Sequence, residues 1–239
     1  MERLDKVLTN CSGMSRSTAK EYLKKGRVSV NGKIVNDPGF KIDPESVVMV
    51  DGKVVNVNKF RYFMLNKPKG FVSSTEDEPE DGAPNVISLF KNEGIKGLFP
   101  VGRLDKDTTG LLIVTNDGAL GHALTAPSKH VDKVYLAKVN KILGDKDVEA
   151  FEKGFEFKEF TSSPAKLDVV QVDVDAGLSV AKVTISEGKF HQVKRMFIKT
   201  GCEVLELKRI SVGGLELDEM LGLGEYRELD LEEVRRAQN

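Results

Sequence analysis

The sequence predicts an α+β protein with two domains, a small one over residues 1–58 and a larger one over residues 59–239. In the first domain, two short amphipathic helical segments precede an Asn-Gly hairpin signal. In the second, alternating and β-branched segments dominate residues 131–139 and 169–185, and few helices interrupt them. The larger domain is therefore expected to contain a mixed, mainly antiparallel central sheet.

Composition narrows the protein class. A chain of 239 residues, 40% hydrophobic and 31% charged, has ordinary globular composition, and no apolar run reaches membrane-spanning length. The N-terminus, MERLDK, lacks an apolar signal core, so no membrane partner and a cytoplasmic location are expected. Cys11 and Cys202 are isolated and predict free thiols. No cofactor is expected, because the sequence has neither a Walker loop nor a dinucleotide fingerprint, and no metal is expected, because the cysteines lack metal-ligand spacing.

The small domain begins with helical signals. A first amphipathic helix is expected around residues 4–8. A second is expected between an N-cap at Ser15 and a stop at Gly26, because an apolar stripe runs between them. Within residues 28–35, two short apolar segments flank Asn-Gly, which is the strongest short hairpin signal. Two helices and a hairpin thus form this domain.

Its charge indicates a polyanionic partner. Residues 1–61 carry twelve Lys and Arg against seven Asp and Glu, although the whole chain has a net charge of -1. Arg16, Lys20 and Lys24 recur every fourth residue, so they follow one helix face at a spacing that suits successive phosphates. Arg27 comes just beyond the helix. The pattern alone also fits a solvated surface face.

The segment MSRSTAKEYLKKGRVSVNGKIV resembles the αL RNA-binding module. This module is shared by a small-subunit ribosomal protein, tyrosyl-tRNA synthetases and several RNA-modifying enzymes, and its paired helices bind structured RNA. The resemblance implies RNA contacts at Arg3, Arg16, Lys20, Lys24 and Arg27. It indicates a class of ligand and no particular reaction, because the module is an accessory domain.

In the larger domain, GRLDKDTTGLLIVTNDG, residues 102–118, places charged and hydroxyl side chains ahead of an apolar run. Residues 111–114 predict a buried strand, so Asp105 is expected in the loop that enters it. Such loops commonly carry catalytic groups. Two other interpretations stay open. Asp105 or Asp107 could cap a turn, or both could bind a metal, although no further carboxylate cluster follows.

The segment EGKFHQVKRMFIKTG predicts a helix with an apolar stripe over residues 193–197 and a stop at Gly201. His191, Lys194 and Arg195 crowd its first turns, where cations oppose the helix dipole. An anionic partner would offset that cost, and the candidates are RNA phosphate and a catalytic carboxylate. A structural role for His191 is equally compatible with the pattern.

In their order along the chain, the NKPKG loop, GRLDKDTTGLL, the KVYLAKV strand and EGKFHQVKRM resemble pseudouridine synthases. The FHQVKRM residues are most similar to the RsuA-type branch, which isomerises one uridine in small-subunit (16S) ribosomal RNA. Relatives that act on large-subunit (23S) RNA typically show Asn-Arg where His191-Gln192 stands, and Arg where Lys194 stands. The resemblance implies an enzyme that acts on 16S RNA or a small-subunit assembly intermediate, with 23S RNA as the alternative. A monomer is expected, because two domains can bind RNA without a second subunit.

The same resemblance implies a role for each site residue. Asp105 would initiate cleavage, either by adding to the base or by assisting its departure from the sugar, and Lys194 would keep it ionised. Tyr135 would stack on uracil and relay the carbon 5 proton, Leu207 would line the pocket, and Arg103 would help to displace the target base. Contacts to the RNA backbone or neighbouring nucleotides are implied for Lys67, His122, His191, Gln192 and Arg195.

Two other classes of function share part of this pattern. A non-catalytic ribosome-assembly factor would share the fold and lack the Asp, Tyr and Lys combination. A metal-dependent RNA hydrolase would need ligands beyond Asp105 and Asp107.

Overall fold

The computed structural model describes residues 2–11, 14–43, 46–55, 60–78, 82–126 and 129–238. The chain divides into two compact units, residues 1–61 with 92–97 and residues 62–91 with 98–239. The predicted boundary between residues 58 and 59 lies outside the described residues. In the described part of the chain, no helix has the length and apolar character to cross a membrane.

The first unit packs two helices and short strands around one apolar core. In chain order its elements are β1 (Glu2–Arg3), α1 (Leu4–Cys11), α2 (Arg16–Lys24), β2 (Val28–Val30), β3 (Lys33–Ile34), β4 (Lys41–Ile42), β5 (Val48–Val50) and β6 (Lys53–Val55). Strands pair in the order β3-β2-β5-β6, and β1 pairs with β4. The core is formed by Leu4, Val7, Leu8, Ala19, Leu23, Val28, Val30, Ile42, Val48 and Val50.

Local signals explain these elements. The Ser15 hydroxyl accepts a hydrogen bond from the Thr18 amide at 3.1 Å and caps α2 as predicted. Asn31 and Gly32 both have positive φ, 49° and 79°, which is the type I′ geometry that closes the β2–β3 hairpin. Arg3 lies in β1 and directly precedes the first helix.

The second unit contains a mixed sheet flanked by helices. Its elements are β7 (Tyr62–Lys67), a 3₁₀ helix (Val86–Glu93), β8 (Phe99–Val101), β9 (Thr109–Thr115), α3 (Gly118–Thr125), β10 (Lys133–Val139), α4 (Asp145–Lys153), β11 (Lys166–Asp173), β12 (Leu178–Ile185), α5 (Gln192–Lys199), β13 (Val204–Val212), β14 (Leu215–Glu216), β15 (Tyr226–Glu228) and α6 (Leu231–Arg236). The sheet order is β11-β12-β10-β13-β9-β7-β15, with β14 on β13 and β8 on β9. All of these pairings are antiparallel except β13–β9. The predicted α+β class with a mixed, mainly antiparallel sheet is confirmed.

One local expectation was wrong. Asn66 and Lys67 were expected in a loop, yet they extend β7, because they pair with Leu111 and Gly110 of the central strand β9. The 3₁₀ helix that follows along the chain buries Val86 and Phe90.

The parallel pairing of β13 with β9 fixes where the chain enters β9 from the preceding loop. Gly110 has a φ of +102°, and a Cβ built there would lie 2.1 Å from the Arg209 carbonyl oxygen. Arg209 is itself buried, and its Nε donates to the Leu111 carbonyl at 2.8 Å. Only glycine permits this close approach of two backbones. The loop that ends at β9 is therefore held against the centre of the sheet.

Candidate active site

Asp105 lies in the loop between β8 and β9, and buried groups hold the backbone of that loop. Lys67 donates from Nζ to the carbonyl oxygens of Asp105 and Thr108, at 3.0 and 2.9 Å. The Ser73 hydroxyl donates to the Leu104 carbonyl and accepts from the Leu104 amide, each at 3.0 Å. Because the backbone on both sides of the carboxylate is hydrogen-bonded, its side chain is presented from a fixed position.

Lys67 has a different role from the RNA contact that was expected. Its side chain is fully buried, and Nζ also contacts the carbonyl oxygens of Pro68 and Lys106, at 3.1 and 3.4 Å. Burial lowers the pKa of Lys67 to about 8, although the charges of Asp107 and Asp105 oppose that change. With its ammonium enclosed by carbonyl oxygens, the side chain is a positioning group for the Asp105 loop.

A lysine from α5 lies between two carboxylates of this loop. Lys194 Nζ is 3.0 Å from Asp105 Oδ2 and 2.6 Å from Asp107 Oδ1. Burial acts to lower the pKa of Lys194, but hydrogen bonds and charge from both aspartates outweigh it, and the pKa is raised. Burial likewise acts to raise the pKa of Asp107, yet the hydrogen bond and charge of Lys194 bring it below its usual value. The arrangement favours a protonated lysine beside Asp105.

These groups open into a cavity of about 710 Å³, a volume typical of ligand sites. Asp105, Lys194, Tyr135, Leu207 and Arg103 all line it. Tyr135 and Leu207 come from the neighbouring strands β10 and β13 and are 7% and 6% exposed. The structure thus brings the four predicted catalytic side chains to one cavity, together with the predicted base-displacing arginine.

Two residues at the start of α5 line the cavity and differ in exposure. His191 is partly exposed, and its Nε2 lies 3.5 Å from Asp105 Oδ1. Gln192 is 3% exposed, and its side-chain amide is hydrogen-bonded to Glu187 and to the Lys189 amide, at 2.7 and 2.9 Å. Its polar atoms are thus used within the protein, and a contact of Gln192 with RNA stays a prediction.

Two other predicted RNA contacts lie outside the cavity lining. His122 is exposed on α3. Arg195 pairs with Glu159 at 2.6 Å, and its guanidinium lies over the Phe157 ring, 4.6 Å from the centroid. Contacts of His122 and Arg195 with RNA stay predictions.

Several residues that shape the site carry no local signal in the sequence. Ser73 and Arg209 act through atoms of residues more than 30 positions away, Leu104 and Leu111. Thr108 buries its hydroxyl without a hydrogen-bond partner beside the loop. No spacing rule connects such positions before the sheet is formed. Phe190 belongs to the FHQVKRM motif, but the motif does not predict that its side chain is exposed. Only the structure shows that exposure.

Cations of the first unit fall into two groups. Arg16, Lys20 and Lys24 are exposed along α2, as the helical spacing predicted. Arg27 forms a forked pair with Asp51, with Nε 2.6 Å from Oδ1, and its guanidinium lies over the Tyr22 ring. Arg3 forms a similar fork on Asp5, with both contacts at 3.0 Å. The first group is thus more available for phosphate than Arg3 and Arg27 are.

Comparisons with known proteins identify the family of this chain. Residues 61–199 match the RNA pseudouridylate synthase family, and residues 2–48 match the S4 domain family. The ribosomal small subunit pseudouridine synthase A of Escherichia coli strain K12 is 41% identical over 236 residues, which cover 97% of this chain and 98% of that protein. The ribosomal large subunit pseudouridine synthase B of Bacillus subtilis is 39% identical, with 99% and 95% covered.

A crystal structure of a pseudouridylate synthase has a similar fold. It superposes with a TM-score of 0.67 and 34% identity, covering 99% of this chain and all of that one. The resemblance found in the sequence motifs is therefore confirmed over both units. The chain belongs to the RNA pseudouridylate synthase family, and it is an isomerase with an S4 domain at its N-terminal end.

Proposed function

We propose that this protein isomerises one uridine of small-subunit (16S) ribosomal RNA to pseudouridine and that Asp105 is its catalytic carboxylate. The observation that carries the assignment of Asp105 is its pairing with Lys194 at 3.0 Å, inside the cavity that Tyr135 and Leu207 line. Perturbed titratable groups that converge in a cleft are characteristic of catalytic sites.

The reaction rearranges bonds and adds no atoms. The bond from nitrogen 1 of uracil to the sugar breaks, the base turns, and carbon 5 bonds to the same sugar carbon. Carbon 5 loses a proton and nitrogen 1 gains one, so no electron or energy donor is consumed. An ionised Asp105 suits either early step, attack on the base or support of the sugar as the base departs. Lys194 places a positive charge 3.0 Å from the Asp105 carboxylate, where it can balance negative charge during the reaction.

The cavity wall supplies the remaining requirements. The Tyr135 ring offers a flat surface for uracil, and its hydroxyl can relay the carbon 5 proton. Leu207 adds an apolar surface that excludes water and strengthens the Asp105–Lys194 interaction. Arg103 is exposed on the cavity lining, where it can enter the space that the target base leaves when it is extruded from the RNA.

The choice of ribosomal RNA rests on the sequence motif and on one relative. The HQVK residues favour the small-subunit class, and the Escherichia coli relative is named for the small subunit. Large-subunit RNA is the second candidate, because the Bacillus subtilis relative with 39% identity is named for that substrate. The exposed cations of α2 fit structured RNA in either case.

Site-resolved pseudouridine mapping on both ribosomal RNAs tests the proposal. A strain that lacks this protein is complemented with the wild type, with Asp105→Ala, or with Asp107→Asn as a control from the same loop. We expect one small-subunit position to be lost, and to be restored by the wild type and the control but not by Asp105→Ala. Loss of a large-subunit position would move the protein to the second class. Restoration by Asp105→Ala would remove Asp105 from the catalytic role.

A further inference from the structure

Phe190 is an exposed aromatic residue on the lining of the catalytic cavity. Its side chain is 72% exposed, and no other phenylalanine in the described residues is as exposed. Its ring stacks on the His191 imidazole, with centroids 3.8 Å apart and planes 18° from parallel. The stack thus leaves most of Phe190 exposed to solvent. An exposed aromatic ring on a cavity lining offers a flat surface on which an unpaired base can stack.

The loop that carries Phe190 is held by a partly buried hydrogen-bond network. Glu187 Oε1 accepts from the Gln192 side-chain amide at 2.7 Å and from the Ser163 backbone amide at 2.8 Å. The Gln192 side-chain oxygen Oε1 accepts from the Lys189 backbone amide at 2.9 Å. These contacts connect the residues on both sides of Phe190 to each other and to the segment that precedes β11. The ring is therefore presented to solvent by a structured loop.

His191 adds a backbone constraint. Its φ is +51°, in the left-handed region that residues other than glycine rarely adopt. Such strain persists only where the surroundings determine the conformation, and it concentrates at functional sites. Here the conformation places the imidazole both under the Phe190 ring and 3.5 Å from Asp105. A stack of rings thus leads outward from the candidate catalytic carboxylate.

A target uridine in the cavity brings its neighbouring nucleotides to this rim. Extrusion of one base leaves adjacent bases partly unstacked, and unpaired bases in RNA commonly stack on aromatic side chains. Lys189 and Arg103 are exposed on the same cavity lining and supply positive charge for the linking phosphates. The surface around Phe190 thus combines an aromatic face with cations, the combination that binds single-stranded RNA.

We propose that the Phe190–His191 stack is a platform for an unpaired nucleobase that flanks the target uridine, and that Phe190 determines specificity through this contact. The inference rests on the proposed function in requiring a target uridine in the cavity, but it does not depend on which ribosomal subunit provides that uridine.

The test compares Phe190→Ala, Phe190→Leu and Phe190→Tyr in pseudouridine formation on a transcript that contains the mapped target. One base stack contributes about 1–3 kcal/mol, so Phe190→Ala is expected to lower kcat/KM about 5- to 150-fold. The loss should lie mainly in KM, because stacking serves ground state and transition state alike. Phe190→Tyr should restore the wild-type value, and Phe190→Leu should not.

A second arm identifies the base. A series of RNAs each carries one abasic nucleotide at a position flanking the target. On one of these RNAs the wild type and Phe190→Ala should have the same KM, because the stacking partner is already missing. The same RNAs can also be bound to Asp105→Asn and to the double variant Asp105→Asn with Phe190→Ala. The ratio of the two Kd values measures the contribution of Phe190 without any turnover.

Controls separate this idea from a general loss of fold or of function. Ile198→Ala removes a different exposed apolar side chain, 63% exposed and located in α5, and should change neither kcat nor KM. Phe190→Ala should leave the unfolding midpoint unchanged. An inactive wild type would contradict the proposed function. An active wild type with an equally active Phe190→Ala, or equal losses on every abasic RNA, would overturn the platform.

Discussion

Lys194 is the residue on which the charge arrangement of the cavity depends. It contacts two carboxylates, and only one of them, Asp105, is well shielded: the Asp105 side chain is 26% exposed and that of Asp107 is 70% exposed. The same lysine therefore makes one interaction of catalytic consequence and one that solvent weakens. The distances alone would not identify the contact with Asp105 as the more important one, because the contact with Asp107 is the shorter.

Lys194→Met should remove the charge while the aliphatic stem of the side chain is kept. We expect pseudouridine formation under single-turnover conditions to fall by roughly 100-fold or more, a loss typical of a removed electrostatic partner in a catalytic site. Asp107→Asn is the matched control and should lower the rate less than about 5-fold, because an exposed ion pair contributes about 1 kcal/mol or less. Equal losses in the two variants would contradict the ranking.

The lowered pKa of Lys67 predicts that the stability of the folded protein depends on pH. Its pKa in the folded protein is about 8, below the ordinary value of 10.5. Between these values the unfolded chain binds more protons than the folded one, so this residue makes the free energy of unfolding rise with pH. The free energy of unfolding should rise by about 3 kcal/mol between the two pKa values, and the rise should be complete near the ordinary pKa of lysine.

Urea unfolding of the wild type and of Lys67→Met between pH 7.5 and pH 10.5 checks this sign. The free energy of unfolding of the wild type should increase relative to that of Lys67→Met as the pH rises above 8. Curves that stay parallel throughout would show that the buried ammonium is not penalised. Lys67→Met should also lose most of its catalytic rate, since the Asp105 loop loses its central hydrogen-bond donor.

Among the elements, the junction of β9 with β13 is the least tolerant of change. Gly110→Ala should lower the free energy of unfolding by about 3 kcal/mol or more, because the new methyl group meets the Arg209 carbonyl oxygen at 2.1 Å. Gly118→Ala is the control, since nothing lies within 4 Å of its Cβ position at the start of α3. Chemical denaturation measures both variants. A wild-type midpoint for Gly110→Ala would show that the strands can separate without cost.

At the scale of the whole molecule, RNA affinity is expected to depend on the exposed cations of α2. Each phosphate contact contributes about 0.9 to the slope of log affinity against log salt on a duplex and about 0.7 on a single strand. Lys20→Ala combined with Lys24→Ala should therefore lower the slope by about 1.4 to 1.8. Titration of ribosomal RNA fragments at several salt concentrations measures this value.

The matched control replaces Lys146 and Lys153, two exposed lysines of α4 in the other unit, with alanine. Its net charge equals that of the α2 double variant, so a general charge effect would alter both slopes equally. A lower slope in the α2 variant alone would assign the phosphate contacts to that helix.

Elements governed by neighbouring residues could be predicted from the sequence. The Ser15 cap, the Asn31-Gly32 hairpin, the buried strand after Asp105 and the apolar stripe of α5 follow from short-range rules, because each depends on residues a few positions apart. The family resemblance rested on the order of four motifs, and the match over residues 61–199 confirms it.

The sequence by itself therefore determined the fold class, the family and the list of candidate catalytic side chains. Only the tertiary structure decided which polar groups the interior uses: Lys67 under the Asp105 loop and Gln192 in the network behind Phe190. Both had been assigned to RNA, since a polar side chain in a motif carries no mark of the face on which it will lie. That face depends on strand pairing between residues far apart in the chain, where burial makes an unpaired polar group costly and so selects its partner.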